Sequence, residues 1–395
     1  MSRLDVKGFK WAGVRAGLKA NGKRDVGLIV GEEPLAAAAV FTRNVVRAAP
    51  VELASRHVRG GRISAVLVNS GNANACTGKA GERACAETVN AIAGALGMSP
   101  KQVFPASTGV IGKVLPADKI LRVVPDLLAD LDAGHAAHFS EAILTTDQWE
   151  KNARTTFRVG GSSATVVAIA KGAGMIHPDM ATTLAFVATD AVVAPAVLRR
   201  ALRSAADRTF NALSVDGDTS TNDTILALAS SRTGRAVGAS GAGFAALEAA
   251  LADVLGTVGE LIVKDGEGAE HVVRIEVRGT KNDDAARKIA STIARSSLVK
   301  TALYGKDPNW GRIVAAAGRA GVRFDPSRVT VSIGGVAIVR GGAALGGKTE
   351  ARVAKAMKQP KYTIELSVGA GAGRAHYLTC DLGHGYVNVN ADYRT

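Results

Sequence analysis

The stretch KGAGMIHPDMATTLAFVATDA, residues 171–191, decides how the chain is read. Gly172, Gly174 and Pro178 break its first half into a turn, and the apolar run over 184–187 reads as a strand. Between them Thr182 follows a small residue, Ala181. A hydroxyl so placed can attack its own preceding carbonyl and cut the chain at that bond. The freed α-amine, with an ordinary pKa of about 8 against about 10.4 for lysine, then serves as the base for its own hydroxyl. The competing reading is an ordinary turn-to-strand junction, since β-branched threonines favour pleated positions.

Outward from this point, strands are predicted over 26–30, 37–42, 63–68, 164–170 and 183–193, where β-branched residues are bounded by turn residues. Apolar spacing of three and four predicts helices over 81–96 and 118–131, the second kinked at Pro125. Further helices are expected over 195–213, 243–255 and 283–303, and strands over 272–277 and 329–333. Strands and helices interleave from end to end, which predicts a layered α/β sandwich of sheets and helices with mixed sheets. No internal repeat or linker divides the chain, so the expected boundary is chemical: 1–181 and 182–395.

With 395 residues the chain can bury two sizeable cores or one large layered one. Its 47% hydrophobic and 21% charged residues, with 45 glycines, suit a turn-rich globular protein and exclude disorder as the main theme. A formal net charge of +14 raises the question of nucleic acid. Basic residues are scattered among the predicted helices, however, and 4% aromatics are too few for base stacking. A solvated basic surface is the reading, with no nucleic-acid partner. No run is long and apolar enough to span a bilayer, and the first residues lack a secretory h-region. Cys76, Cys85 and Cys380 read as reduced thiols of a cytoplasmic protein. The seven histidines show no metal-ligand spacing, so no metal is expected, and His177 reads as a hydrogen-bonded structural residue.

Three motifs compete for attention. GAALGGKT, 342–349, matches the phosphate-cradling pattern and offers Lys348 to a nucleotide. Too little chain follows it for the βα units and magnesium-holding Asp that such a site needs, and an exposed glycine-rich turn is the alternative. GAGFAA, 241–246, reads as a helix N-terminus, because no strand leads into it. DGDTSTND, 216–223, begins like a calcium loop but carries Thr221 where the sharp-turn glycine belongs, so a turn or the wall of a polar site fits better.

Acyl transfer through a threonine needs donors for the developing oxyanion, and PASTGVIG, 105–112, offers Thr108 and Gly109. Alongside it stand, in order, NSGNANACTG (69–78), TTDQWEK (145–151), KGAGMIHPDMATTL, FNALSVDGDTSTND (210–223), KDGEGA (264–269), YGKDPNWGR (304–312) and NADYRT (390–395). Taken together, and over essentially the full chain, these strings resemble the glutamate N-acetyltransferase family of arginine biosynthesis, also called ornithine acetyltransferases.

The resemblance implies a self-cleaving enzyme of the N-terminal-nucleophile type, with Thr182 as nucleophile and Ala181 to Thr182 as the cleavage site. Thr108 and Gly109 become the oxyanion stabilisers. Thr145, Lys171, Thr182, Glu267, Asn390 and Thr395 fall at substrate-binding positions. TTDQWEK departs from the more usual TTDTFPK of the family, which leaves Thr145 and Thr146 both open. The implied reaction moves acetyl from N2-acetyl-L-ornithine to L-glutamate by a ping-pong route, with no metal or organic cofactor. Acetyl-CoA stands as an open second donor, which would make the enzyme bifunctional. The implied assembly is a heterotetramer of two α and two β chains. A related self-cleaving aminopeptidase is the alternative that shares the nucleophile, and a nucleotide-binding protein using Lys348 the one that does not. Lys171 and Glu267 supply the cation and anion that an α-amino acid ligand requires.

Overall fold

The computed structural model describes residues 4–177 and 183–392. Its first sheet holds β1 (Phe9–Val14), β2 (Val26–Phe41), β3 (Arg62–Asn72), β4 (Val103–Val110), β5 (Lys151–Val159), β6 (Ser162–Lys171), β7 (Leu184–Val193) and β9 (Thr224–Val237). Their order is β4-β3-β2-β9-β7-β6-β5, with β1 also pairing β2. The second sheet is built from β8 (Leu213–Ser214), β10 (Val272–Gly279), β11 (Thr330–Ile333), β12 (Val336–Arg340), β13 (Ala343–Ala344), β14 (Lys361–Ser367) and β15 (Gly371–Cys380). It runs β13-β12-β11-β14-β10-β15-β8. Both sheets mix parallel and antiparallel pairs, as in β7 with β9 and β7 with β6, so the layered α/β architecture expected from the interleaving is present.

Strands at the centre of the first sheet are apolar on both faces because both faces are covered. Ala185, Val187, Ala191 and Val193 of β7 join the helices Pro195–Arg208 and Ala242–Lys264 on one side. Leu184, Phe186 and Ala188 join Trp11 and Phe139 on the other. Fully burying such side chains contributes about 1.5–3 kcal/mol each for the larger ones. The long helix Ala242–Lys264 also packs toward the second sheet, since its cluster takes in Val272 of β10 and Cys380 of β15. The helices Asp283–Ala294 and Trp310–Gly318 close the second sheet's own core.

Several elements differ from their sequence expectation for local reasons. The strands expected over 26–30 and 37–42 are one strand, β2, whose register with β3 shifts between Val30 and Leu35. The shift falls at Gly31 to Pro34, and it lets the strand serve β1 with its first part and β9 with its second. The helix expected over 118–131 is split into Ala117–Arg122 and Val124–Ala129, with Pro125 in the first turn of the second. The one expected over 195–213 stops at Arg208, and that over 283–303 is two helices, Asp283–Ala294 and Ser297–Tyr304.

GAALGGKT lacks the strand-to-helix loop of a phosphate site. Its leading strand β12 lies antiparallel to both neighbours, the motif itself supplies the edge strand β13, and residues 341–348 are exposed. No helix among the described residues is long and apolar enough to cross a membrane.

Candidate active site

A cavity of about 220 Å³ opens where loops from both halves of the chain meet, and it is lined by Thr108, Gly109, Thr145, Lys171, Glu267 and Asn390. Thr146 also faces it. Ala181, Thr182 and Thr395 lie outside the described residues, but Thr183, the next residue after Thr182, lines the cavity. Thr183 is fixed by the central strands, its carbonyl accepting from the Thr224 amide at 2.8 Å.

Thr108 and Gly109 stand at the end of β4, beside Ser70 and Gly71 of β3. Gly109 has φ of 128°, and a Cβ there would sit 2.4 Å from the Gly71 carbonyl carbon, so only glycine fits. The neighbouring polar side chains brace this end. Ser107 Oγ donates to Asn69 Oδ1 at 2.6 Å, and Asn222 Nδ2 donates to the carbonyls of Ala73 and Ser107 at 2.6 and 2.8 Å.

Behind Thr145 and Lys171, Asp147 has no exposed side-chain surface. Its Oδ2 accepts from the Thr145 amide at 2.9 Å and lies 3.8 Å from Lys171 Nζ, while Oδ1 accepts from the Gly172 amide at 2.6 Å. Burial alone would raise this carboxyl. Lys171 and Lys151 outweigh burial and hold it well below the usual carboxylate range.

Two further carboxyls are pushed the other way. Asp216 accepts from the Met175 and Ile176 amides at 2.6 and 2.8 Å and so fixes the glycine-rich turn, yet burial raises its pKa. Asp223 is buried beside Thr224, and burial lifts it well above the ordinary value against the pull of Ser220 and Lys171. Its Oδ2 and the Thr183 hydroxyl are buried without a hydrogen-bond partner among the described residues. Burial thus raises Asp223, which lines the cavity, while the two lysines lower Asp147, which lies behind Thr145 and Lys171.

The last wall is the helix His384–Asp392, which presents Tyr386 and Asn390 to the cavity. Asn390 Nδ2 donates to Glu267 Oε2 at 2.8 Å, and the Glu267 amide donates to the Ala173 carbonyl at 3.0 Å. Lys171 and Glu267 thus face one cavity as opposite charges, as an amino-acid ligand requires.

Sequence reasoning passed over Asp147, Lys151, Asp216, Asp223, Asp265, Gly174 and Tyr386. All of them except Tyr386 stand inside the strings quoted above, but nothing in the spacing tells an inward carboxylate from a solvated one. DGDTSTND does form a wall of the polar site, contributing Asp216, Asp218 and Asp223. His177 packs against Tyr377, with Nδ1 3.4 Å from its hydroxyl, and its carbonyl accepts from Thr219. His135 and His138, which show no ligand spacing in the sequence, do meet at Asp130. There they are spent on hydrogen bonds, His138 Nδ1 lying 3.0 Å from the carboxylate and His135 Nδ1 2.7 Å from the carbonyl.

The profile of the ArgJ family matches residues 10–395. The chain is 44% identical over 393 residues to the arginine biosynthesis bifunctional protein ArgJ of Geobacter sulfurreducens, which covers 99% of this chain and 100% of that one. It is 46% identical over 395 residues to the protein of the same name from Gloeobacter violaceus, covering 99% and 97%. The crystal structure of arginine biosynthesis bifunctional protein argJ from Bacillus halodurans is 34% identical, superposes with a TM-score of 0.51, and covers 54% of this chain and 100% of its own.

Proposed function

The chain belongs to the ArgJ family, and we propose that it moves acetyl from N2-acetyl-L-ornithine to L-glutamate through an acetyl ester on Thr182. One observation carries the reading. Thr108, Gly109, the cation Lys171, the anion Glu267 and Thr183, the residue next to Thr182, all line a single cavity.

Maturation comes first. The Thr182 hydroxyl attacks the Ala181 carbonyl, the peptide bond becomes an ester, and water hydrolyses it. The products are an α chain of 1–181 ending in a carboxylate and a β chain of 182–395 beginning with a free amine. The order of the first sheet supports a cut that leaves one fold, since β7 and β9 stand between β2 and β6.

In turnover the freed amine takes the hydroxyl proton as the oxygen attacks the acetyl carbonyl of the donor. Thr108 and Gly109 receive the oxyanion, and ornithine leaves with the proton. Glutamate then attacks the acetyl ester and leaves as N-acetylglutamate, restoring the threonine. Lys171 and Glu267 hold the carboxylate and ammonium groups of the bound amino acid, Thr145 and Asn390 complete their surroundings, and Thr395 joins from the C-terminus. The scheme requires no metal or organic cofactor. Acetyl-CoA as an alternative first donor, a heterotetramer of two α and two β chains, and a cytoplasmic location belong to the same proposal.

The test is Thr182→Ala. Intact mass on denatured protein is expected to show two fragments for the wild type and one full-length chain for the variant, which transfers no acetyl. A variant that is still cleaved and active would remove Thr182 from the mechanism. Release of free acetate at the same rate with and without glutamate would favour a hydrolase instead.

A further inference from the structure

Behind the cavity wall Lys151 has no exposed side-chain surface. Its ammonium spends all three protons inside the protein. Nζ donates to Asp147 Oδ1 at 2.7 Å, to Asp265 Oδ2 at 2.5 Å and to the Trp149 carbonyl at 3.1 Å. Both carboxylates are themselves buried, so one cation is shared by two anions across 114 residues of sequence.

Each partner leads to one end of the cavity. Asp147 holds the amide of Thr145, which lines the cavity, and that of Gly172, the residue that follows Lys171 at the end of β6. Asp265 accepts from the Gln148 amide at 2.9 Å and stands two residues before Glu267. We propose that Lys151 is a positioning residue that sets the separation and orientation of Lys171 and Glu267, and thereby the affinity for the amino-acid substrates. This rests on the reading of that pair as the substrate's charge partners.

The charge balance explains why a neutral packing residue would not serve. With Lys151 in place Asp147 has a full hydrogen-bonded cation, and Lys171 stays at 3.8 Å, beyond hydrogen-bond distance. Without it, Lys171, only 3.8 Å away, is drawn onto Asp147 and away from the substrate carboxylate. Asp265 at the same time loses its ion pair and keeps only the Gln148 amide of its two bonds to that segment. Breaking a buried pair from one side leaves an uncompensated charge, which forces the surroundings to move.

Lys151→Met and, as the milder change, Asp265→Asn test the proposal in full-length, self-processed protein. The readouts are fragment masses, melting temperature, and kcat and KM for N-acetylornithine and glutamate. Losing one charge-assisted hydrogen bond to the substrate costs about 10- to 100-fold in affinity, so Lys151→Met is expected to raise KM for both substrates by about that much. Asp265→Asn should raise them about fivefold or more, and kcat should move far less in either variant, the signature of lost ground-state binding. Wild-type transfer is measured first, and its absence strikes the function itself. Given active wild type, folded and cleaved variants with unchanged KM and only a lower melting temperature would overturn the positioning role. Failure of both variants to fold would overturn it as well, assigning the cluster to stability alone.

Discussion

Gly174→Ala adds one methyl group at a position where the structure says what it will strike. An ideal Cβ on Gly174 lies 2.4 Å from Glu267 Oε2, 2.6 Å from its Cδ and 2.8 Å from its Oε1. Ordinary contact begins near 3.4 Å, so the carboxylate has to retreat by about 1 Å, a displacement on the scale that costs about 100-fold at a binding group. The obstacle is the end of a flexible side chain and no backbone strain opposes alanine, because Gly174 is not among the positive-φ glycines. Alanine also narrows the unfolded ensemble, worth about 0.4–1 kcal/mol toward stability. The fold should therefore survive while the anion moves. Losing a hydrogen bond to a charged group costs about 1.5–3 kcal/mol, and at about 1.4 kcal/mol per factor of ten KM should rise about 10- to 100-fold. Steady-state kinetics with N-acetylornithine and glutamate measure this, with fragment masses as the control for maturation. Combined with Glu267→Gln, Gly174→Ala should cost much less than it does alone, because both act on the same carboxylate. A folded, processed variant with wild-type KM, or full additivity with Glu267→Gln, would refute the assignment of Glu267.

Thr108→Ala should lower kcat by about 10²- to 10³-fold, the cost of one oxyanion donor, with KM nearly constant; a rise in KM at constant kcat would make Thr108 a binding residue instead. Asp223 gives a pH test. Burial raises its folded pKa, so its contribution to stability is complete below the unfolded value of about 3.9 and is lost as pH rises through the folded one. Asp223→Asn cannot ionise, and its gain in melting temperature over wild type should grow from pH 5 to pH 8. A pH-independent difference between the two proteins would show that Asp223 does not carry a raised pKa.

The legible parts of the fold are those where one physical signal dominates. β6 and β7 read as strands because apolar residues on both faces leave a continuous run. β5 gave no such signal: in KNARTTFRV buried and exposed positions alternate around Arg154 and Arg158, and it lies at the sheet edge. β2 looked like two strands because Gly31 to Pro34 interrupt the pattern, although the chain runs on through a register shift. Helix ends were missed where the stop is conformational, as at Thr209, whose φ of −125° and ψ of −83° end the helix without Gly or Pro. At the site, Thr108, Lys171, Glu267 and Asn390 were reached through a set of ordered strings and not through periodicity. The Lys151 cluster lay in the same strings and stayed hidden. Spacing along the chain says nothing about a lysine and an aspartate 114 residues apart.

Sheet register also bears on the proposed cut ahead of β7. β7 is paired on both sides, antiparallel to β6 from Leu184 with Lys171 to Thr189 with Val166, and parallel to β9 from Leu184 with Thr224 onward. A strand held along both edges and covered on both faces does not depend on the covalent link at its start. The proposed cut between Ala181 and Thr182 would therefore leave the ladder and its buried residues in place, with Thr183 held by the Thr224 amide on its carbonyl. At an edge strand the same cut would free a ladder to fray. The parallel register also runs the lead-ins to these two strands side by side into the cavity, with Thr183 before β7 and Asp223 before β9. The interior strand thus suits the proposed cut in two ways, being held without the covalent link and fixing Thr183 beside the buried Asp223.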